Sequence, residues 1–216
     1  MDHSARMEQF DATDLYVVIT AAFCAGREPL DVLEGCLAAG VRLVQLREKN
    51  ESSHRLYEQA LAFRERTRAA GALLIVDDRL DIAMAADADG VHLGGNDLPV
   101  TAARRVAPGL IIGASSHNPG EAQAAQAAGA SYVNIGPIFA TETKAVATGP
   151  VGPDMIRTIA PHLRVPFTCM GGIKAHNIGH VLARGARHPA VVTAVTAADN
   201  PEQAARELRE KILAVR

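Results

Sequence analysis

One phrase recurs along this chain and constrains its fold more than any other feature. A short apolar or β-branched run is followed by a polar or glycine-bearing turn, then by an Ala/Leu/Arg/Glu-rich stretch of helical period. The apolar runs occupy positions 15–20, 43–47, 73–76, 90–93, 111–115, 132–135, 167–170 and 190–193. Helical patterns fill 29–39, 53–70, 80–86, 100–106, 119–128, 152–159, 177–183 and 201–215. Asn118-Pro119 and Asn200-Pro201 read as N-caps with proline at the first helical position. Gly40, Gly71, Gly129 and Gly185 close helical stretches, as glycine does where the chain turns left-handed.

Strands alternating with helices imply parallel pairing through right-handed crossovers. Eight such units in 216 residues predict an α/β fold of the (β/α)8 TIM-barrel type. An open doubly wound sheet is the alternative. It usually carries a GxGxxG turn after its first strand, and positions 21–26 here read AAFCAG. Positions 1–13 are polar, without the apolar core of a secretory signal. They are expected to form a flexible tail, leaving 14–216 as a single barrel domain.

Composition narrows the function classes. A net charge of −2 and the lack of tryptophan argue against nucleic acid as a partner. No apolar run approaches a membrane span. Cys24, Cys36 and Cys169 are widely spaced, with no zinc-type spacing, so reduced thiols in the cytoplasm are the plain reading. Homo-oligomerisation stays open.

In a barrel the chemistry sits at the C-terminal ends of the strands, and the polar residues fall there. Gln45, Arg47 and Lys49 alternate at the end of the second strand and so share one face. Asp77, Asp78 and Arg79 follow the third strand; His92 lies on the fourth and Asp97 follows it. Ser115, Ser116 and His117 end the fifth. Thr141, Thr143 and Lys144 follow the sixth, Gly171 and Gly172 the seventh, and Thr193 the eighth.

Arg47, Lys49 and Lys144 suit a phosphate or diphosphate. Asp78 and Asp97 are hard oxygen ligands of the kind Mg²⁺ uses with substrate phosphates. Gly172 and Thr193 match the phosphate site that barrels build from their last two βα loops. Each residue also has a plainer reading. Asp78-Arg79 reads as a loop ion pair, Asp97 as the start of a turn, and His92 as a satisfied core histidine. His176 and His180 read as surface residues, and Arg64, Arg66 and Arg68 as one solvated helix face. The functional case rests on joint placement. Half-buried cations are costly unless paired, so Asp78 or Asp97 is expected to balance Arg47 and Lys49 before ligand arrives.

Taken together the motifs resemble the thiamine phosphate synthase family. The matching phrases are VQLREK at 44–49, DDR-x-DIA at 77–83, ADGVHLG-x-x-DLP at 88–99 and IIGASSHN at 111–118. GPIF-x-T-x-TK at 136–144, MGGI at 170–173 and VVTAVTAADNP at 191–201 continue the series. Several unrelated motifs in order make a specific signal. The resemblance implies a Mg²⁺-assisted transferase. It would condense hydroxymethylpyrimidine diphosphate with hydroxyethylthiazole phosphate, or the carboxylated thiazole, to give thiamine monophosphate and pyrophosphate.

By the same resemblance Arg47, Lys49, Lys144 and Ser115 would act on the reacting diphosphate. Gln45, Asp77, Thr141, Thr143, Gly172, Val192 and Thr193 would complete substrate binding, and Asp78 and Asp97 would hold the metal. The chain departs from the family pattern where Asp77 replaces an asparagine, Gly95 a glutamine, Ala140 a proline and Thr193 a serine. The rival readings are a thiazole tautomerase-like paralogue, a non-catalytic homologue made inert by Asp77, and an unrelated phosphosugar isomerase.

Overall fold

The computed structural model describes residues 2–143 and 149–216. Lys144 therefore lies outside the described residues. Eight parallel strands close into one barrel in sequence order, β1 next to β8. They are β1 Tyr16–Ile19, β2 Leu43–Leu46, β3 Leu73–Asp77, β4 Gly90–Leu93, β5 Ile111–Ser116, β6 Tyr132–Ile135, β7 Phe167–Cys169 and β8 His188–Val191. The helices around them are α2 Pro29–Ala38, α3 Ser53–Ala69, α4 Leu80–Ala85, α5 Val100–Val106, α6 Pro119–Ala127, α7 Asp154–Ile159, α8 Ile178–Leu182 and α10 Pro201–Leu213. A short helix, α9 (Thr193–Thr196), follows β8. Asn118 and Asn200 cap their helices as the sequence predicts, accepting from the Glu121 and Gln203 N–H groups. No helix among the described residues is long and apolar enough to cross a membrane.

Strand alternation divides the core in two. Val17, Ile19, Val44, Leu46, Leu74 and Val76 point outward and pack under the helices. Tyr16, Val18, Leu43, Leu73, Ile75 and Tyr132 point inward and fill the barrel with the help of Phe10. Gln45, Asp77 and His92 follow the inward parity and are buried. Gly113 makes room inside: a Cβ there would come 2.2 Å from Cζ of Tyr132, so the ring occupies the space a side chain would need.

The N-terminal segment corrects an expectation. Residues 3–11 are no flexible tail but a helix, α1 (His3–Asp11), capped by the Asp2 carboxylate on the Ala5 N–H. Phe10 is fully buried and stacks on Tyr132 at 4.9 Å between ring centroids. Arg6 donates to the Gly109 carbonyl at 2.9 Å and lies 3.5 Å from Asp89. The helix plugs the N-terminal end of the barrel. The gain comes from burying one aromatic ring and pairing one arginine. That leaves too sparse a hydrophobic stripe to signal a helix by periodicity.

Arg64 departs from its reading as well. Its side chain is 13% exposed and pairs with Asp89 at 2.7 Å. Arg66 and Arg68, more exposed, pair with Glu34 and Asp87 at the surface.

Candidate functional site

The C-terminal ends of the strands converge on a cavity lined by Gln45, Arg47, Lys49, Asp77, Asp78 and Asp97, with Ser115, Thr141 and Thr143 across it. Each side chain arrives by a local rule. Gln45 is the last inward residue within β2, and two further steps at the same parity bring Arg47 and Lys49 to the mouth. Asp77 closes β3. Asp78 sits just beyond it with φ of +59°, a left-handed conformation that is uncommon outside glycine and that Asp tolerates better than most.

Two cations face three carboxylates here. Asp77 Oδ2 lies 2.9 Å from Lys49 Nζ and 3.3 Å from Arg47 Nε. These are ion-pair contacts without aligned hydrogen bonds, and this buried oxygen has no hydrogen-bond partner. Lys49 also pairs closely with Asp78. So Asp77 and Asp78 balance the cations. Asp97 has no ion pair among the described residues; its carboxylate accepts from the Gly94 N–H at 2.7 Å, closing the turn after β4. Arg79 turns away to Asp81 and Ser53, so the Asp78-Arg79 ion pair does not form.

The crowding shows in the ionisation of the cluster. Burial, reinforced by the neighbouring Asp78 charge, pushes the Asp77 carboxyl above its ordinary value despite Lys49 and Arg47. Burial also raises Asp97, and its hydrogen-bonding contact with Asp78 raises it further. Burial works against Asp78 too, but the bonds to Lys49 and Asp97 outweigh it and hold that carboxyl low. Burial opposes the Lys49 charge, yet Asp77 and Asp78 together raise its pKa.

Beneath the mouth a hydrogen-bond chain anchors two lining residues. Gln45 Nε2 donates to the Tyr16 hydroxyl at 2.7 Å, which lies 3.0 Å from the Tyr132 hydroxyl. His92 bridges the Tyr132 hydroxyl at 2.9 Å and the Ser115 hydroxyl at 3.0 Å. His92 is thus a satisfied buried histidine and a wall of the cavity at once. The bond to Tyr16 likewise fixes Gln45 as a wall of the cavity. Thr141 and Thr143 bond each other at 2.9 Å. Asn134 lines the same cavity and was not singled out by the sequence; its Oδ1 accepts from Thr168 at 2.9 Å. The inward parity of β6 was the signal that pointed to it.

A second cavity adjoins the first and shares Thr141, Thr143, Met170 and Gly171 with it. Gly172, Val192 and Thr193 line it. Gly172 has φ of +61°, and a Cβ there would come 2.3 Å from the Ala140 carbonyl oxygen. The loops after β6 and β7 therefore meet closely only because this residue is glycine. His176 and His180 are exposed, as their surface reading requires.

Among the described residues no group of three or more His, Cys, Asp or Glu side chains is arranged to hold a metal alone. The Asp78–Asp97 contact is still a fit for a hard cation completed by ligand and water oxygens. Two carboxyl groups in contact repel unless a proton or a cation lies between them.

Fold and site define a (β/α)8 barrel with two adjoining polar cavities at its C-terminal mouth. The sequence model of thiamine monophosphate synthase matches residues 15–195. The chain is 47% identical over 195 residues to the thiamine-phosphate synthase of Chloroflexus aurantiacus, covering 90% of each chain. It is 44% identical over 204 residues to that of Moorella thermoacetica, covering 94% of this chain and 97% of the relative. The solved thiamine phosphate pyrophosphorylase from Pyrococcus furiosus superposes with a TM-score of 0.87 at 34% identity, covering 96% of this chain and 98% of the other. The chain belongs to the thiamine monophosphate synthase family.

Proposed function

We propose that the protein joins a pyrimidine methyl diphosphate to a thiazole phosphate, giving thiamine monophosphate and pyrophosphate. The observation that carries this reading is the shared wall. Two polar cavities meet at Thr141, Thr143, Met170 and Gly171, so two phosphorylated substrates can bring their reactive ends together there.

In this reading the first cavity takes the pyrimidine diphosphate. Gln45 takes part in holding the pyrimidine. Arg47 and Lys49, now drawn to Asp77 and Asp78, donate instead to the diphosphate oxygens. Asp78 and Asp97 hold Mg²⁺, which when bound neutralises charge on the leaving diphosphate. The carbon–oxygen bond breaks as the electron-rich ring supports the methylene cation, and Arg47 and Lys49 stabilise the departing pyrophosphate. Lys144 is assigned to the same task from its motif. The Ser115 hydroxyl, steadied by His92, contacts the substrate beside the breaking bond.

The second cavity holds the thiazole phosphate through Gly172, Val192 and Thr193, with Thr141 and Thr143 between the substrates. The thiazole nitrogen attacks the methylene carbon with its lone pair. It carries no proton to lose, so the thiazolium forms directly and no general base is required. The three buried free cysteines support a reducing cytoplasmic setting.

The test is to incubate the purified protein with Mg²⁺ and both substrates. Thiamine monophosphate and pyrophosphate in equal amounts are expected. Tautomerisation of the carboxylated thiazole phosphate without condensation would replace this reading with that of an isomerase.

A further inference from the structure

The thiazole phosphate proposed for the second cavity carries a charge near −2, while Gly172, Val192 and Thr193 supply no cation. Among the described residues lining that cavity the only lysine or arginine is Lys174, five residues beyond β7. Its ammonium is half-buried and donates to the Thr193 hydroxyl at 2.5 Å. No carboxylate lies within ion-pair distance of it among the described residues. Burial pushes its pKa down, with no neighbouring charge to offset the cost.

The loop that carries Lys174 is fixed at both sides. The Lys174 N–H donates to Asn177 Oδ1 at 2.7 Å, and Asn177 Nδ2 donates to the Gly172 carbonyl at 3.0 Å. Lys49 and Arg47 each have an aspartate within 4 Å, but Lys174 is an uncompensated cation held beside a hydroxyl. An ammonium in that state is stabilised by an anion.

We infer that Lys174 is a specificity-determining residue of this chain that binds the phosphate monoester of the thiazole substrate together with the Thr193 hydroxyl. This assignment rests on the proposed condensation for the identity of the ligand. Lys174 donates to a phosphate oxygen, Thr193 donates to a second, and the dianion replaces the missing carboxylate. The pyrimidine diphosphate is held by other cations, so Lys174 discriminates between substrates. It favours the phosphorylated thiazole over the free alcohol and has no bearing on the diphosphate.

The test compares the full-length protein with Lys174→Gln and Lys174→Arg. In steady-state kinetics Lys174→Gln is expected to raise KM for the thiazole phosphate about 10- to 100-fold, the range for a lost bond between charged groups. KM for the pyrimidine diphosphate and kcat at saturation stay within about twofold, and Lys174→Arg recovers most of the loss. Calorimetric titration with the thiazole phosphate alone should show the same weakening, whereas the unphosphorylated thiazole alcohol should bind both proteins equally. Equal affinity of wild type and Lys174→Gln for the thiazole phosphate overturns the assignment, as does an equal loss for the alcohol. If the wild type makes no thiamine monophosphate, the proposed condensation fails, and the titration still decides whether Lys174 binds the phosphate.

Discussion

At the N-terminal end of the barrel Asp89 accepts from Arg64 at 2.7 Å and from the Leu74 N–H at 3.0 Å, with Arg6 at 3.5 Å. At the C-terminal end Asp77, Asp78 and Asp97 crowd around Arg47 and Lys49. Both ends bring arginine and aspartate together inside the fold. At the lower end the cations rest on protein acceptors: Arg6 and Arg64 share Asp89, although Arg64 Nε is buried without a hydrogen bond, and Arg104 donates to the carbonyls of Pro108, Leu110 and Gly129 and to the Ser131 hydroxyl. At the upper end carboxylates outnumber cations, one buried Asp77 oxygen has no hydrogen bond, and Asp78 takes a left-handed backbone. Matched charges lock a structure. Mismatched ones leave it ready for a ligand that brings its own charges.

The comparison breaks if the lower cluster proves dispensable for stability. Asp89→Asn strands two buried arginines and is expected to cost about 3–5 kcal/mol. For a chain of this size that lowers Tm by about 6–20 °C, read by calorimetry, with turnover of the folded protein kept. Lys49→Met should do the reverse. It should reduce kcat/KM by about 10²–10³-fold in a pyrophosphate-release assay, with Tm within a few degrees of wild type.

Acid should separate the two ends further. His188, at the start of β8, bonds the Thr13 hydroxyl, and burial pulls its pKa down to about 4. In the unfolded chain it titrates near 6.5. Between those values the unfolded state binds the extra proton, so stability is complete above about 6.5 and is lost as pH falls towards 4. The loss is on the order of 3 kcal/mol, and a His188→Gln variant should show a flatter fall in Tm across that window. The smallest effect is expected from Asp77→Asn. Asparagine keeps the shape of Asp77 and removes one carboxylate charge from beside the proposed diphosphate site, so turnover should stay equal or rise. A large loss would give Asp77 a positive role in binding.

The contrast between the ends also explains what could be read from sequence. Seven strands announced themselves as short, largely apolar runs, the signature of strands covered by helices; the eighth, His188–Val191, begins two residues before the apolar run read at 190–193, because its first residues are His188 and Pro189. The upper residues were legible because alternation from Gln45 through Arg47 to Lys49 leaves no other face for them. The lower end was opaque. Asp2 and Phe10 are scattered in a polar segment, and Arg64 looks like its exposed neighbours Arg66 and Arg68 until Asp89 is brought beneath it. Lys174 was hidden for a similar reason: it follows the glycine pair in an otherwise unremarkable loop, and only closure of the barrel sets it against Thr193. Asp97 shows a partial reading. The Leu98-Pro99 that follows it suggested the start of a turn, whereas its carboxylate closes the preceding turn onto the Gly94 N–H, and its contact with Asp78 depends on strands three and four lying side by side.

The most direct measurement is calorimetric titration of pyrophosphate with Mg²⁺ into wild type, Lys49→Met and Asp89→Asn at a temperature where all three are folded. If the upper cluster is the diphosphate site, Lys49→Met weakens binding at least about tenfold and Asp89→Asn binds as wild type does. Unchanged affinity in Lys49→Met, or equal loss in both variants, would contradict the division of the barrel into a locked end and a ligand-ready end.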